Sequence, residues 1–320
     1  MEDIVMTRYI LSIDGGGVRG IVAATILQEI EKRINKPLSK IFDLVSGSSV
    51  GSLVGGALCL KNADGMPRYN TRDLLDLMLK YSGKIFSNSA ARNAFALIFG
   101  PKYSDKNLNS VLKEIFGDVA MKDLMTNFIV PSYDLCSNQT VMFRSWVDKY
   151  HDIKVSDVTR GAVAAPTYFT PKKIIVEGKK TLLIDSSIVC NNPIIAAYAG
   201  AQVLYPNEKL CCLSVGCGTV NKDFSDLQNS LLYWSSKILF VIIDAGLDAI
   251  DYQMARLVKG EDTYCRISGD IIYSTCDFSD ASPGNIQNVQ KDAQKIVQEN
   301  EKNINDFCEV LLNDERIQRL

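Results

Sequence analysis

The residues of this chain best spaced for chemistry are Gly47-Ser48-Ser49-Val50-Gly51. A G-x-S-x-G turn between a strand and a helix holds its central serine strained, with the hydroxyl exposed, which suits a nucleophile. An apolar run at 42–45 precedes this turn and a small-residue run at 52–60 follows it, so strand, elbow and helix come in the right order. Gly47 and Gly51 are expected where strand and helix approach too closely for side chains. Only Ser49 occupies the nucleophile position, with Ser48 beside it in the turn. A lone G-x-S-x-G is also a common way to pack a helix on a sheet. Ser49 therefore needs a base and an oxyanion hole from elsewhere.

The usual base is histidine, and the chain has one, His151, within the charged stretch Lys149-Tyr150-His151-Asp152. A triad of Ser49, His151 and Asp185 would run Ser, His, Asp, whereas α/β-hydrolases run Ser, Asp/Glu, His. His151 is expected on the surface, and an aspartate must take the proton instead. A free Asp, with a pKa near ~3.9, is a weak base, and burial raises it. Asp185 ends the apolar run Thr181-Leu182-Leu183-Ile184 and precedes small residues. In a parallel sheet the strand carboxyl ends share one rim, which would bring Asp185 to Ser49. The competing reading is a turn or N-cap carboxylate.

Asp14-Gly15-Gly16-Gly17-Val18-Arg19-Gly20 can supply the oxyanion hole. Three glycines ahead of a helix leave backbone N–H groups uncovered, where the helix dipole favours negative charge. Arg19 either pins this loop or meets a phosphate head group. Gly15 to Gly20 also satisfies G-x-G-x-x-G, so a Rossmann-type, nucleotide-binding oxidoreductase is the competitor. That fingerprint expects an acid ending the second strand. Asp43 instead precedes the strand, which disfavours it.

These groups must be positioned by a large fold. The 320 residues are 47% hydrophobic and 22% charged, which suits one globular domain spanning 1–320. A net charge of −2 gives no electrostatic footprint for nucleic acid. Nine cysteines, an odd number without a C-x-x-C pair, imply a reducing, cytoplasmic setting and no disulfide framework. One histidine and scattered cysteines make no metal-ligand cluster, and no cofactor is expected. No signal peptide or membrane-spanning run stands out, so the protein is expected to be soluble or peripheral on membranes.

A strand at 8–13, the glycine turn and a helix at 21–34 make one β-α unit, and residues 40–60 make a second. Two such units argue for a parallel sheet covered by helices. After a loop at 62–70, Thr71 is the expected N-cap of an amphipathic helix. Residues 82–106 are irregular and apolar in part, a candidate for a mobile cover. Further helices are expected at 108–116, 155–165, 193–205, 230–259 and 286–312. Strands are expected at 127–133, 139–143, 180–184, 209–215 and 263–267.

The glycine loop at 14–20, the elbow at 47–51, Ala165-Pro166-Thr167-Tyr168-Phe169, Asp185 with Asn191-Asn192-Pro193, and Leu213-Ser214-Val215-Gly216-Cys217-Gly218 together resemble the patatin-like phospholipase family. Each motif is weak alone, but the ordered set is specific. It covers a core of residues 8–220, with weaker similarity to 267 and a C-terminal helical part at 230–320. The resemblance implies a three-layer α/β/α sandwich with a mostly parallel central sheet. It also implies a calcium-independent phospholipase A activity on membrane glycerolipids, phospholipid or galactolipid, with peripheral membrane contact, for which the apolar residues at 86–99 are the candidates. It maps the nucleophile to Ser49, the general base to Asp185 and the oxyanion donors to Gly15, Gly16 and Gly17. Arg19, Gly20, Gly47 and Gly51 would support them.

The chain departs from that pattern at Asp185-Ser186-Ser187, where the family usually has Asp-Gly-Gly or Asp-Gly-Ala. If this position needs φ > 0, Ser186 would cost roughly 1 kcal/mol and shift the carboxylate. Otherwise Ser186 could hydrogen-bond Asp185 and hold it. A catalytically impaired, lipid-binding or signalling relative is the alternative function.

Overall fold

The computed structural model describes residues 6–87, 100–220 and 231–320. In chain order, the first half contains β1 (Thr7–Ile13), α1 (Gly20–Ile34), β2 (Leu44–Gly47), α2 (Val50–Leu58), α3 (Thr71–Ile85), α4 (Asp105–Phe116), β3 (Asn127–Asp134) and β4 (Gln139–Arg144). Then come α5 (Val155–Ala162), β5 (Lys172–Val176), β6 (Lys179–Ile184), α6 (Ser187–Cys190), α7 (Ile194–Leu204) and β7 (Lys209–Val215). The C-terminal part holds α8 (Leu231–Leu257), β8 (Thr263–Ile267), α9 (Pro283–Glu299), α10 (Glu301–Leu312) and α11 (Glu315–Gln318).

Strand side chains alternate between faces, and in the central strands β1, β2 and β7 both faces are buried. Tyr9, Leu11 and Ile13 of β1 join Cys211, Leu213 and Val215 of β7 in one core, covered by α1, α2, α3, α4, α5, α9 and α10. Ile10, Leu44, Leu210 and Cys212 point the other way, into a second core closed by Ile194, Ala197 and Ala201 of α7 and Met254 of α8. The strands are apolar on both faces because helices cover both. The result is the expected three-layer α/β/α arrangement.

The sheet is mixed. Its centre, β3-β2-β1-β7-β8, is parallel, whereas β4 and β6 run antiparallel to β3, and β5 runs antiparallel to β6. The register of β3 decides where the site forms. Strand β4 pairs along residues 129–134 of β3, leaving β2 and β6 to share the opposite edge. There β2 takes residues 127–129 and β6 takes Tyr133 and Asp134. The two strands thus point their carboxyl ends at one another along a single edge.

Several local expectations shift. Asn70, not Thr71, caps α3, because its extended backbone lets Asn70 and Asp73 form a reciprocal capping box. Thr71 instead donates its hydroxyl to Glu31 at 2.7 Å. Strand β5, with the sequence KKIIV, has too little alternation to stand out as a strand. The single terminal helix expected at 286–312 is two helices meeting at Asn300. Of the cover expected at 82–106, residues 88–99 lie outside the described residues.

Candidate active site

The elbow forms because Gly47 and Gly51 leave room for it. A Cβ on Gly47 would lie 2.1 Å from the Gly51 carbonyl oxygen, and one on Gly51 2.3 Å from that of Ile13. Between them Ser49 adopts φ 47° and ψ −120°, a conformation costing a non-glycine residue on the order of 1–3 kcal/mol. Helix α2 starts at the next residue. The Ser49 hydroxyl donates to Asp185 Oδ2 at 2.9 Å.

Asp185 reaches Ser49 by a different route from the one its strand suggested. Strand β6 is antiparallel, so Asp185 does not share the rim of the parallel strands. It arrives head-on, from the far end of the β3 edge that β2 also uses. Ser132 of β3 holds this end of β6 through a 2.7 Å hydrogen bond to the Ile184 carbonyl. The Asp185 carboxylate is buried, and burial pushes its pKa up to about 6. The Ser187 N–H and the Ser49 hydroxyl oppose that rise in part. One oxygen thus makes a turn contact, accepting from Ser187 N–H at 2.8 Å, while the other meets Ser49.

Ser186 has φ −66° and ψ −27°, so nothing at this position requires glycine. Its hydroxyl does not bond Asp185 either. It accepts the Ser49 N–H at 2.6 Å, lies 2.9 Å from Ser48 Oγ and donates to the Ala162 carbonyl at 3.2 Å.

The glycine loop packs beside this pair. Gly15 approaches closely enough that a Cβ would meet Ser187 Oγ at 2.3 Å and Ser49 Cβ at 3.1 Å. Its N–H, however, donates to the Asn191 carbonyl at 3.0 Å, so it is not available to an oxyanion as the sequence suggested. The N–H groups of Gly16 and Gly17 have no acceptor among the described residues. Gly17 has φ +59° and lies against the Phe278 carbonyl, which accepts the Val18 N–H at 2.8 Å. Arg19 is buried and pins the loop, donating to Gly16 O at 3.3 Å and Gly218 O at 3.2 Å. Gly20 lets α1 cross α2, since a Cβ there would strike Val50. Asp14 is buried in a two-pronged ion pair with Arg266 of β8, at 2.9 and 2.5 Å.

The remaining candidates lie elsewhere. His151 follows β4 at the opposite, amino-terminal rim, where its carbonyl accepts the Lys122 N–H just ahead of β3. Asp43 sits at the same rim, before β2, paired with Arg8 and Arg316. The acid that a dinucleotide site needs at the carboxyl end of β2 is therefore not Asp43.

Two cavities meet at Ser49 and Asp185. One, the smaller, runs past Gly16, Gly17, Arg19, Ile188 and Ile243. The other is walled by Leu53, Met78, Ile85, Phe86, Leu108 and Phe169. Gly17, Ala165 and Phe278 line both. Sequence reading missed Phe278 and Arg266, which reach the site only through tertiary contact and carry no local motif. Ser186 was visible as a departure, but not as an acceptor for the Ser49 amide. Among the described residues no cluster of His, Cys, Asp or Glu could hold a metal, and no helix is long and apolar enough to cross a membrane.

A half-buried serine at an elbow bonded to a buried aspartate, faced by a glycine loop on an α/β/α sandwich, defines the class of arrangement. Comparison with known proteins supplies the family. The model of the patatin-like phospholipase family matches residues 11–198, and the chain belongs to that family. Patatin-like protein 1 of Arabidopsis thaliana is 29% identical over 97% of this chain and 88% of its own length. Patatin-like protein 4 of the same plant is 30% identical, over 92% and 84%. Among solved structures, VipD from Legionella pneumophila aligns with 93% of this chain and 67% of its own at 14% identity and a TM-score of 0.42.

Proposed function

We propose that this protein is a serine lipid acyl hydrolase of the phospholipase A type, cleaving fatty acyl esters of membrane glycerolipids at a Ser49–Asp185 dyad. The observation that carries the reading is the 2.9 Å hydrogen bond from Ser49 to Asp185 at the junction of the two cavities. Asp185, whose basicity burial has raised, takes the proton as Ser49 Oγ attacks the ester carbonyl. The oxyanion of the tetrahedral intermediate meets the Gly16 and Gly17 N–H groups. Collapse breaks the C–O bond, and the departing alkoxide takes the proton from Asp185, leaving an acyl-enzyme. Water then attacks that ester, giving its proton to Asp185, and the Ser49 oxygen recovers a proton as the fatty acid leaves. The apolar cavity suits the acyl chain and the smaller one the glycerol side. Contact with the membrane is peripheral in this reading.

Fatty-acid release from mixed phospholipid vesicles tests it. Ser49→Ala and Asp185→Asn should each lower the rate by about a thousandfold or more, and His151→Ala should leave it unchanged. Lipid binding without release by the wild type would favour an impaired relative. Release that survives Ser49→Ala would overturn the proposal.

A further inference from the structure

The Ser186 hydroxyl, next to Asp185 in the chain, is fully buried. It makes three contacts in three directions. It accepts from the Ser49 amide at 2.6 Å, exchanges a hydrogen bond with Ser48 Oγ at 2.9 Å, and donates to the carbonyl of Ala162 in α5 at 3.2 Å. A hydroxyl has one proton and two lone pairs. With the proton on Ala162, Ser48 must be the donor, and all three capacities are used.

The geometry points to Ser186 as a positioning residue for the Ser49–Asp185 pair, a role that rests on the dyad reading above. Two consecutive residues grip the same serine: Asp185 by its hydroxyl and Ser186 by its amide. Those two bonds close a ring through the 185–186 peptide, so the elbow and the carboxylate cannot drift apart without breaking one. The restraint matters because Ser49 is held at φ 47°, where the chain has no intrinsic preference to stay. A glycine at 186 would leave the Ser49 N–H without this acceptor. The ring is completed by the β6 end that faces β2 along β3, so the register of β3 and the Ser186 hydroxyl act together. Ala162 extends the grip into α5, whose neighbouring Ala164 carbonyl accepts the Asp185 N–H at 3.1 Å.

Ser186→Ala and Ser186→Gly test the assignment. For each, kcat and KM would be measured on a short p-nitrophenyl ester, alongside the rate of Ser49 phosphonylation by an organophosphonate and the thermal midpoint. The loss of one well-aligned hydrogen bond to the reacting unit should lower kcat and the phosphonylation rate about tenfold. KM should hold within about twofold. Glycine also adopts the φ −66° and ψ −27° of this position and brings no methyl into the buried site, so it separates positioning from folding if the alanine variant is unstable. Amide exchange at Ser49 should quicken in both variants relative to Val50. Wild-type kcat and phosphonylation in the glycine variant would overturn the role. So would a fall in kcat matched by an equal fall in folded protein. Activity that survives Ser49→Ala would instead sink the dyad itself.

Discussion

Asp185 divides one carboxylate between two hydrogen bonds, and in the proposed dyad its burial sets opposite demands on activity and stability. Its pKa of about 6 lies above the ordinary 3.8. Between those values the folded protein holds a proton that the unfolded chain has released, so stability falls as pH rises through the window. Under the proposed mechanism catalysis runs the other way, because a base must be ionised. The value of kcat/KM should fall about tenfold per pH unit below pH 6, and a profile flat to pH 4.5 would remove Asp185 as the base. Asp185→Asn should raise the free energy of unfolding, read from urea curves at pH 8, by on the order of 2 kcal/mol, with little gain at pH 4. That stabilisation with loss of activity would mark a site held at a thermodynamic cost. Both residues of the pair were legible in the sequence, since strand ends and G-x-S-x-G are local signals. Ser186 was legible only as a departure, because its partners lie 24 and 137 residues away.

The elements that bring these residues together are less apparent from the chain. The rim argument placed Asp185 correctly for the wrong reason. A parallel β6 would have ended beside β2, whereas the antiparallel strand meets it head-on. Nothing in Thr181-Leu182-Leu183-Ile184 specifies direction, because an apolar strand pairs either way. The glycine loop depends on another distant element, β8, through Arg266. Removing one partner of a buried ion pair leaves a charge without compensation. Arg266→Met should therefore cost about 3–5 kcal/mol by urea unfolding, and adding Asp14→Asn should recover part of it. Additive losses would show that the pair does not act as a unit.

The two cavities belong to the molecule as a whole. The apolar one takes walls from α2, α3, α4 and the segment before β5, and Phe278 from beyond β8 closes both. Met78 is buried at its side, so Met78→Trp should fill part of it. Activity on long-chain esters should then fall at least tenfold relative to butyryl esters, read as a ratio of kcat/KM values. An unchanged ratio would place the acyl chain elsewhere. No periodic pattern announces such a cavity, since its walls read as ordinary core residues in their own helices.

Local chemistry could be read directly from residue order: the elbow, the glycine turn, the lack of a usable histidine, and most strand and helix positions. These follow from backbone sterics and short-range periodicity, which act within a few residues. Tertiary structure alone decided the direction of β6, the commitment of the Gly15 N–H to Asn191, the Arg266 partner of Asp14 and the meeting of two cavities at Ser49. Each of these depends on which distant groups satisfy a buried polar atom or strand edge, a choice settled only when the whole chain packs. The motif Gly47-Ser48-Ser49-Val50-Gly51 was a turn in the sequence; packing gave its serine a partner at each end.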